Sequence, residues 1–275
     1  QCWTCEAAGD WLLYLQKRRS IDFREALAVL AEAAGIKDSL EADSRGHAAY
    51  IRKASILETA IAFFQEQLFR PEGEAVLAYL KNRGYTREDI TGMEAGAYTS
   101  RHLLQAHLKR KDFSDTEIQE SGLLSAGLGE THTLAFTWKD FSGRAAGLAG
   151  RCILAAEEQE KRGLNKYMYS RGLQKASGLL GLDRARGKKA VLLVEGLLDS
   201  LFLSARGLPA VAIGGTAIST EQVQALIRNR TEEVLLSLDM DGPGQKATEK
   251  AARLLREAGL RVFVVSLPGG HKDAD

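Results

Sequence analysis

Five acidic residues in the last third of the chain stand where they could hold a divalent cation. Glu195 follows the apolar run Ala190–Val194, Asp239 and Asp241 follow Val234–Leu238, and Asp273 and Asp275 follow Val262–Leu267. Short apolar runs separated by helical patterns read as buried parallel strands with crossover helices. The carboxyl ends of such strands share one edge of the sheet, and ligands bind there. Carboxylates crowded along that edge repel one another, and Mg²⁺ or Mn²⁺ offsets the repulsion while bridging to substrate phosphates. The chemistry this points to is metal-assisted phosphoryl or nucleotidyl transfer. The pair Asp239 and Asp241, followed by Gly242-Pro-Gly244, is the sharpest signal, because an ordinary Asp-Gly turn accounts for one aspartate and not for two. Taken singly, Glu195 reads equally well as an acid near a helix N-terminus, and Asp273 and Asp275 as solvated polar chain.

The elements that must position these residues form a regular series. The pattern predicts strands at 190–195, 209–214, 233–239 and 261–267, with helices at 197–206, 219–229 and 244–258 between them. Ser219 and Gln222 form a capping box at the start of the second helix. The third carries Lys246, Lys250 and Arg253, which read as solvated charges along a helix. This is a four-strand α/β unit with right-handed crossovers. The preceding part is mixed α+β. Asp22 and Glu25 mark a helix start, residues 40–69 read as helix, and Pro71 marks a boundary. Helices are expected at 72–83 and 101–111, the latter rich in Arg, Lys and His. Residues 133–138 and 145–149 flank a turn and read as a hairpin, and 157–163 as a polar loop.

Composition narrows the class. Of 275 residues, 45% are hydrophobic and 27% charged, as in a water-soluble globular chain. A formal net charge of +1 requires any nucleic-acid site to be a local patch. No apolar run is long enough to span a membrane and no signal peptide opens the chain. Three cysteines make a disulfide scaffold a poor reading and favour a reducing, cytoplasmic location. Cys152 lies in a strand pattern and reads as a small buried hydrophobe. The chain opens at Gln1 and stops inside an acidic cluster, so a segment of a longer protein is expected.

A Glu after the first strand, an Asp-x-Asp after the third and acids after the fourth resemble the TOPRIM domain. That domain is shared by bacterial-type primases, topoisomerases, some nucleases and recombination proteins. Upstream residues select among these. Ala78–Gly84 (AYLKNRG), with Ile90 and Gly96, resembles the N-terminal subdomain of the DnaG-type primase core. Phe141–Arg144 and Gly147–Arg151 match that family's RGR…GFGGR hairpin, and Asn165–Tyr167 with Ser170 its PKYLNS segment. Gln174–Ala176 with Leu179–Leu182 resembles HKGRELYGL. Val194–Asp199 parallels VEGYMD, Ala212–Thr216 parallels ASLGT, and Asp239–Gly244 parallels DGDRAG. Gln1–Asp10 resembles the second half of the primase zinc ribbon, and Leu27–Ala34 the helix after it.

The resemblance implies an α/β primase RNA polymerase core with a TOPRIM domain of parallel strands and flanking helices, preceded by the end of a zinc ribbon. The domain bounds are 1–36 for the ribbon half and its helix, 37–70 for a helical linker, 71–186 for the N-terminal subdomain, and 187–275 for a TOPRIM domain truncated at its C-terminus. It implies synthesis of short RNA primers on single-stranded DNA from ribonucleoside triphosphates, in partnership with a replicative hexameric helicase. Glu195, Asp239 and Asp241 would be catalytic and, with Asp273 and Asp275, hold Mg²⁺ or Mn²⁺. Arg144, Arg151, Lys166 and Lys175 would bind nucleotide or DNA phosphates. Cys2 and Cys5 supply two of the four ligands a tetrahedral zinc site needs, so Zn²⁺ is expected in the intact protein with ligands from upstream. The chain departs from the family at Thr131, His132 and Thr133, where primases carry an Arg-Asn-Arg-like stretch, and reads as a divergent, phage- or mobile-element-type member. The alternative is a TOPRIM-type metal-dependent nuclease or an inactive replication or defence scaffold.

Overall fold

The computed structural model describes residues 10–34, 37–238 and 242–265, and the described residues fall in two compact units, Gln1–Arg52 and Lys53–Asp275. Cys2, Cys5, Asp239, Asp241, Asp273 and Asp275 lie outside the described residues. The smaller unit contains α1 (Trp11–Arg19) and α2 (Phe23–Ala33), which pack on each other through Leu15, Ala26 and Ala31. Both helix starts are written in the sequence. Asp10 accepts from the Leu13 N–H, and Asp22 forms the expected capping box with Glu25.

The long helix α3 (Lys37–Leu68) leads into the larger unit, where α4 (Glu74–Asn82), α5 (Arg87–Gly92), β1 (Gly96–Ala97), α6 (Arg101–Lys109) and α7 (Asp115–Glu120) follow. β2 (Leu134–Lys139) and β3 (Ala145–Arg151) are the expected hairpin. After a short helix α8 (Ala156–Lys161) comes β4 (Tyr167–Tyr169), and β1-β2-β3-β4 form one antiparallel sheet. Residues 156–161 form a helix where a loop is expected. None of its residues is buried, so no apolar period announces it, and an i,i+4 pair between Glu158 and Arg162 supports it instead. The short strands β1 and β4 also lack a period of their own; they exist because β2 and β3 offer edges to pair with.

The antiparallel sheet has two covered faces. Ala135, Ala145 and Leu148 pack with α3, α6 and α7, through Phe64, Leu104 and Ile118 among others. Leu134, Phe136, Trp138 and Ala149 pack into the core that joins this sheet to the next domain.

That domain is a parallel sheet built from β5 (Ala190–Val194), α9 (Leu197–Ala205), β6 (Ala210–Ala212), α10 (Thr220–Arg228), β7 (Glu233–Ser237), α11 (Gly242–Glu257) and β8 (Arg261–Val264), in strand order β6-β5-β7-β8. Each of the four predicted strands and three predicted helices is present, with bounds shifted by a few residues at the ends. Val191 and Leu193 point into the core under α10 and α11, while Val194 and the half-buried Leu192 point into the core under α9. The two-residue period of a strand thus serves two layers of helix. The chain runs from β5 outward to β6, then returns across to β7. The carboxyl ends of β5 and β7, in register at Val194 and Ser237, therefore form the switch point where such sheets bind ligands.

Candidate active site

Glu195 is the first residue after β5 and opens onto a cleft of about 270 Å³ between the two sheets. Gly196, Leu197, Leu198 and Asp199 of the α9 N-terminus form one wall, and the Gly214-Gly215-Thr216 loop after β6 adjoins it. Gly214 has φ +61°, and a Cβ there would meet the Trp138 ring at 2.7 Å, so glycine lets the loop lie against the antiparallel sheet. Asp199 is buried in the first turn of α9, its carboxylate lying where a Cβ on Gly196 would be. An anion there is stabilised by the helix N-terminus.

The opposite wall is basic and aromatic: Arg83, Arg151, Lys166, Tyr167 and Tyr169. Arg151, on β3, is the centre of this wall. Its Nε donates to the Tyr79 hydroxyl at 2.6 Å and an Nη to the Tyr167 hydroxyl at 2.7 Å. Burial works against its charged form, but interaction with Tyr167 and Tyr79 outweighs this and raises its pKa, keeping it a cation. Burial pushes the Tyr167 hydroxyl up to about 12, so it remains a neutral hydrogen-bonding group across the ordinary pH range. Lys166 is exposed at the cleft, its Nζ 6.0 Å from the Tyr167 ring centroid. Lys175 stands at the rim: its Nζ donates to the Gly214 carbonyl at 3.2 Å and lies 4.8 Å from the Tyr169 ring centroid.

Of the residues singled out from sequence, Glu195, Arg151 and Lys166 line one cleft and Lys175 borders it. Arg144 is exposed on the β2–β3 turn, where its N–H donates to the Asp140 carboxylate, and is not among the lining residues. Arg83, Tyr79, Tyr167 and Tyr169 were not singled out for the site. Arg83 lies in the segment compared with primases, but nothing in its spacing marks it, because α4 brings it to the cleft only through tertiary packing. The Thr131–Thr133 stretch turns inward. His132 is buried, with its two ring nitrogens on the Thr131 hydroxyl and the Asn165 carbonyl, so this segment buttresses the residue before Lys166 and does not line the cleft.

The donor set suits a hard cation in part. Glu195 and Asp199 are two carboxylates in one cleft, and Mg²⁺ is commonly held by one or two carboxylates, water and substrate phosphates. Among the described residues no three acidic, His or Cys side chains form a metal cluster.

Residues 63–186 match the family described as DNA primase catalytic core, N-terminal domain, and residues 192–275 match the Toprim-like family. The DNA primase of Deinococcus radiodurans is 30% identical over 288 residues, covering 100% of this chain and 48% of its own length. The Aquifex aeolicus primase structure comprising zinc-binding and RNA polymerase domains aligns with TM-score 0.67 at 28% identity, covering 99% of this chain and 68% of that one. The RNA polymerase domain of Mycobacterium tuberculosis primase DnaG, in complex with double-stranded DNA, aligns with TM-score 0.67 at 25% identity, covering 82% and 75%. The chain is a relative of the DnaG-type primases. It spans about half the length of the curated primases it matches. The primase and Toprim families imply use of a divalent metal. The primase-like core thus sets a Toprim carboxylate, Glu195, across a cleft from a cationic wall contributed by the N-terminal subdomain. No helix among the described residues is long and apolar enough to cross a membrane.

Proposed function

We propose that this chain is the catalytic part of a primase, which joins ribonucleotides into short RNA primers on single-stranded DNA. The observation that carries the reading is the cleft itself: carboxylates at the switch point of the parallel sheet, facing Arg83, Arg151 and Lys166. One wall has the oxygen donors a divalent ion takes, and the other has donors for phosphate oxygens. In the reaction, the 3′-hydroxyl of one ribonucleotide attacks the α-phosphate of the next and pyrophosphate leaves. A bound Mg²⁺ or Mn²⁺ would acidify the attacking hydroxyl and neutralise the leaving group. Glu195, with Asp239, Asp241, Asp273 and Asp275, would hold it. Arg151 and Lys166 would hold nucleotide or template phosphates, with Lys175 and Arg144 extending the basic surface.

Likeness to a DNA-bound primase polymerase domain supports a nucleic-acid partner. Likeness over 99% of the chain to the Aquifex structure with its zinc-binding domain supports Cys2 and Cys5 as half of a Zn²⁺ site in the intact protein. A hexameric helicase partner follows from the same family reading.

The test is incorporation of labelled ribonucleotide on single-stranded DNA with Mg²⁺ or Mn²⁺. Primer-length RNA is the expected product. DNA cleavage without added nucleotide, and no RNA, would assign the cleft to a nuclease instead.

A further inference from the structure

Arg151 is a buried cation whose direct partners are tyrosine hydroxyls and ring faces. It is 9% exposed, its guanidinium carbon lies 5.6 and 5.1 Å from the Tyr79 and Tyr167 ring centroids, and no described carboxylate forms an ion pair with it. A guanidinium has five N–H donors. Two are taken by the tyrosines, which leaves three on a group that lines the cleft. A buried charge with no direct ion pair gains when an anion enters the cleft to meet its free N–H groups. The tyrosines neutralise nothing. What they do is fix the fork: a hydrogen bond at Nε and another at one Nη define the guanidinium plane, and the two rings hold it.

We propose that Tyr79 is a positioning residue that presets Arg151 to receive the triphosphate of an incoming nucleotide. The inference rests on the nucleotidyl-transfer reading and adds a residue to it. Tyr79 lies on α4, far in sequence from the β3 arginine it orients, and contributes the Nε acceptor that Tyr167 does not. Removing its hydroxyl leaves a buried N–H without an acceptor. The guanidinium then turns to find another, and loses the orientation that a bidentate phosphate contact needs.

The experiment compares Tyr79→Phe, Arg151→Lys and the double variant with the unaltered chain. Affinity for inorganic triphosphate is measured by calorimetry in chelator-treated buffer, and KM and kcat are measured in primer synthesis. Tyr79→Phe keeps the ring and should retain the thermal midpoint. It should weaken triphosphate binding about ten-fold and raise KM for nucleotide similarly, with a smaller change in kcat. The double variant should bind triphosphate no more weakly than Arg151→Lys alone, because Tyr79 acts only through the arginine fork. Unchanged triphosphate affinity in Tyr79→Phe overturns the proposal, whether or not the midpoint falls. Additive losses in the double variant overturn it as well, and so does an unaltered chain that binds no triphosphate. An unaltered chain that binds triphosphate but makes no RNA would overturn the primase reading while leaving the Tyr79 effect on binding measurable.

Discussion

The side chains of the cleft divide into anion-holding and cation-holding groups, and each group predicts a separable defect. Asp239→Asn removes one anionic oxygen from the proposed cation site. Primer synthesis should fall on the order of 10²-fold or more at limiting metal, with the circular dichroism spectrum unchanged. Full activity under those conditions would remove Asp239 from the ligand set. Lys166 is exposed, belongs to no ion pair among the described residues, and lines the cleft. Lys166→Ala should therefore weaken single-stranded DNA binding and reduce the slope of log K against log salt by about 0.7, since one fewer phosphate is neutralised. Metal affinity should not change. An unaltered slope would make Lys166 an ordinary surface lysine.

At the scale of elements, the cleft depends on how α5 is joined to α9, because α9 carries one of its walls. Asp89 of α5 caps its own helix with Thr86 and also receives Arg206 bidentately, at 2.9 and 3.0 Å. Tyr85 stacks on Phe202 close by, with ring centroids 4.8 Å apart. Hydrogen bonds from Arg206 hold the Asp89 carboxyl well below the usual carboxylate range, against the opposing effect of burial. A depressed folded-state pKa contributes stability that is complete above the unfolded value of about 4 and is lost as pH falls through the folded value. Asp89→Asn should lower stability at neutral pH by about 1.5 kcal/mol, the low end for a hydrogen bond to a charged group, because Arg206 is half exposed. It should also flatten the acid limb below about pH 4 in thermal-melt series. A variant whose acid limb still matches the unaltered chain would exclude this pair as a source of acid sensitivity. Glu94, just after α5, adds a second tie, pairing with Lys139 of β2 and with Arg184.

At the scale of the molecule, stability is unevenly spread. In the smaller unit the described buried residues of α1 and α2 are Leu15, Ala26 and Ala31, while Trp11 is 72% exposed and Phe23 55% exposed. The central strands β5 and β7 of the parallel sheet, in contrast, are packed between two helical layers. Local opening follows buried apolar contact. Amides of α1 and α2 should therefore exchange with solvent orders of magnitude faster than those of β5 and β7 in a hydrogen-exchange experiment on this chain. Equal protection would mean that the small unit opens only with the whole. The net charge of +1 also has a consequence at this scale. Under the proposed function, nucleic-acid binding cannot draw on a global field of this chain and relies on the proposed local wall around Arg151 and Lys166.

Sequence alone determined the parallel sheet, because apolar runs and helical periods are local and strong: all four strands and three helices of that domain were legible, as were the capping boxes at Asp22 and Ser219. It also determined the place of Glu195, since a residue after a parallel strand must lie on the carboxyl edge. The family resemblance named Arg151 and Lys166, but only tertiary structure decided that they, with Arg83 and Tyr167, share a cleft with Glu195. Arg83, Arg151 and Tyr167 come from the segment after α4, β3 and β4, Tyr79 of α4 is hydrogen-bonded to the arginine, and no spacing rule relates them. Packing of the antiparallel sheet against α9 brings them together. The same packing turned Thr131–Thr133 inward, left Arg144 on an exposed turn and made strands of Gly96–Ala97 and Tyr167–Tyr169, whose own residues carry too little periodicity to announce them.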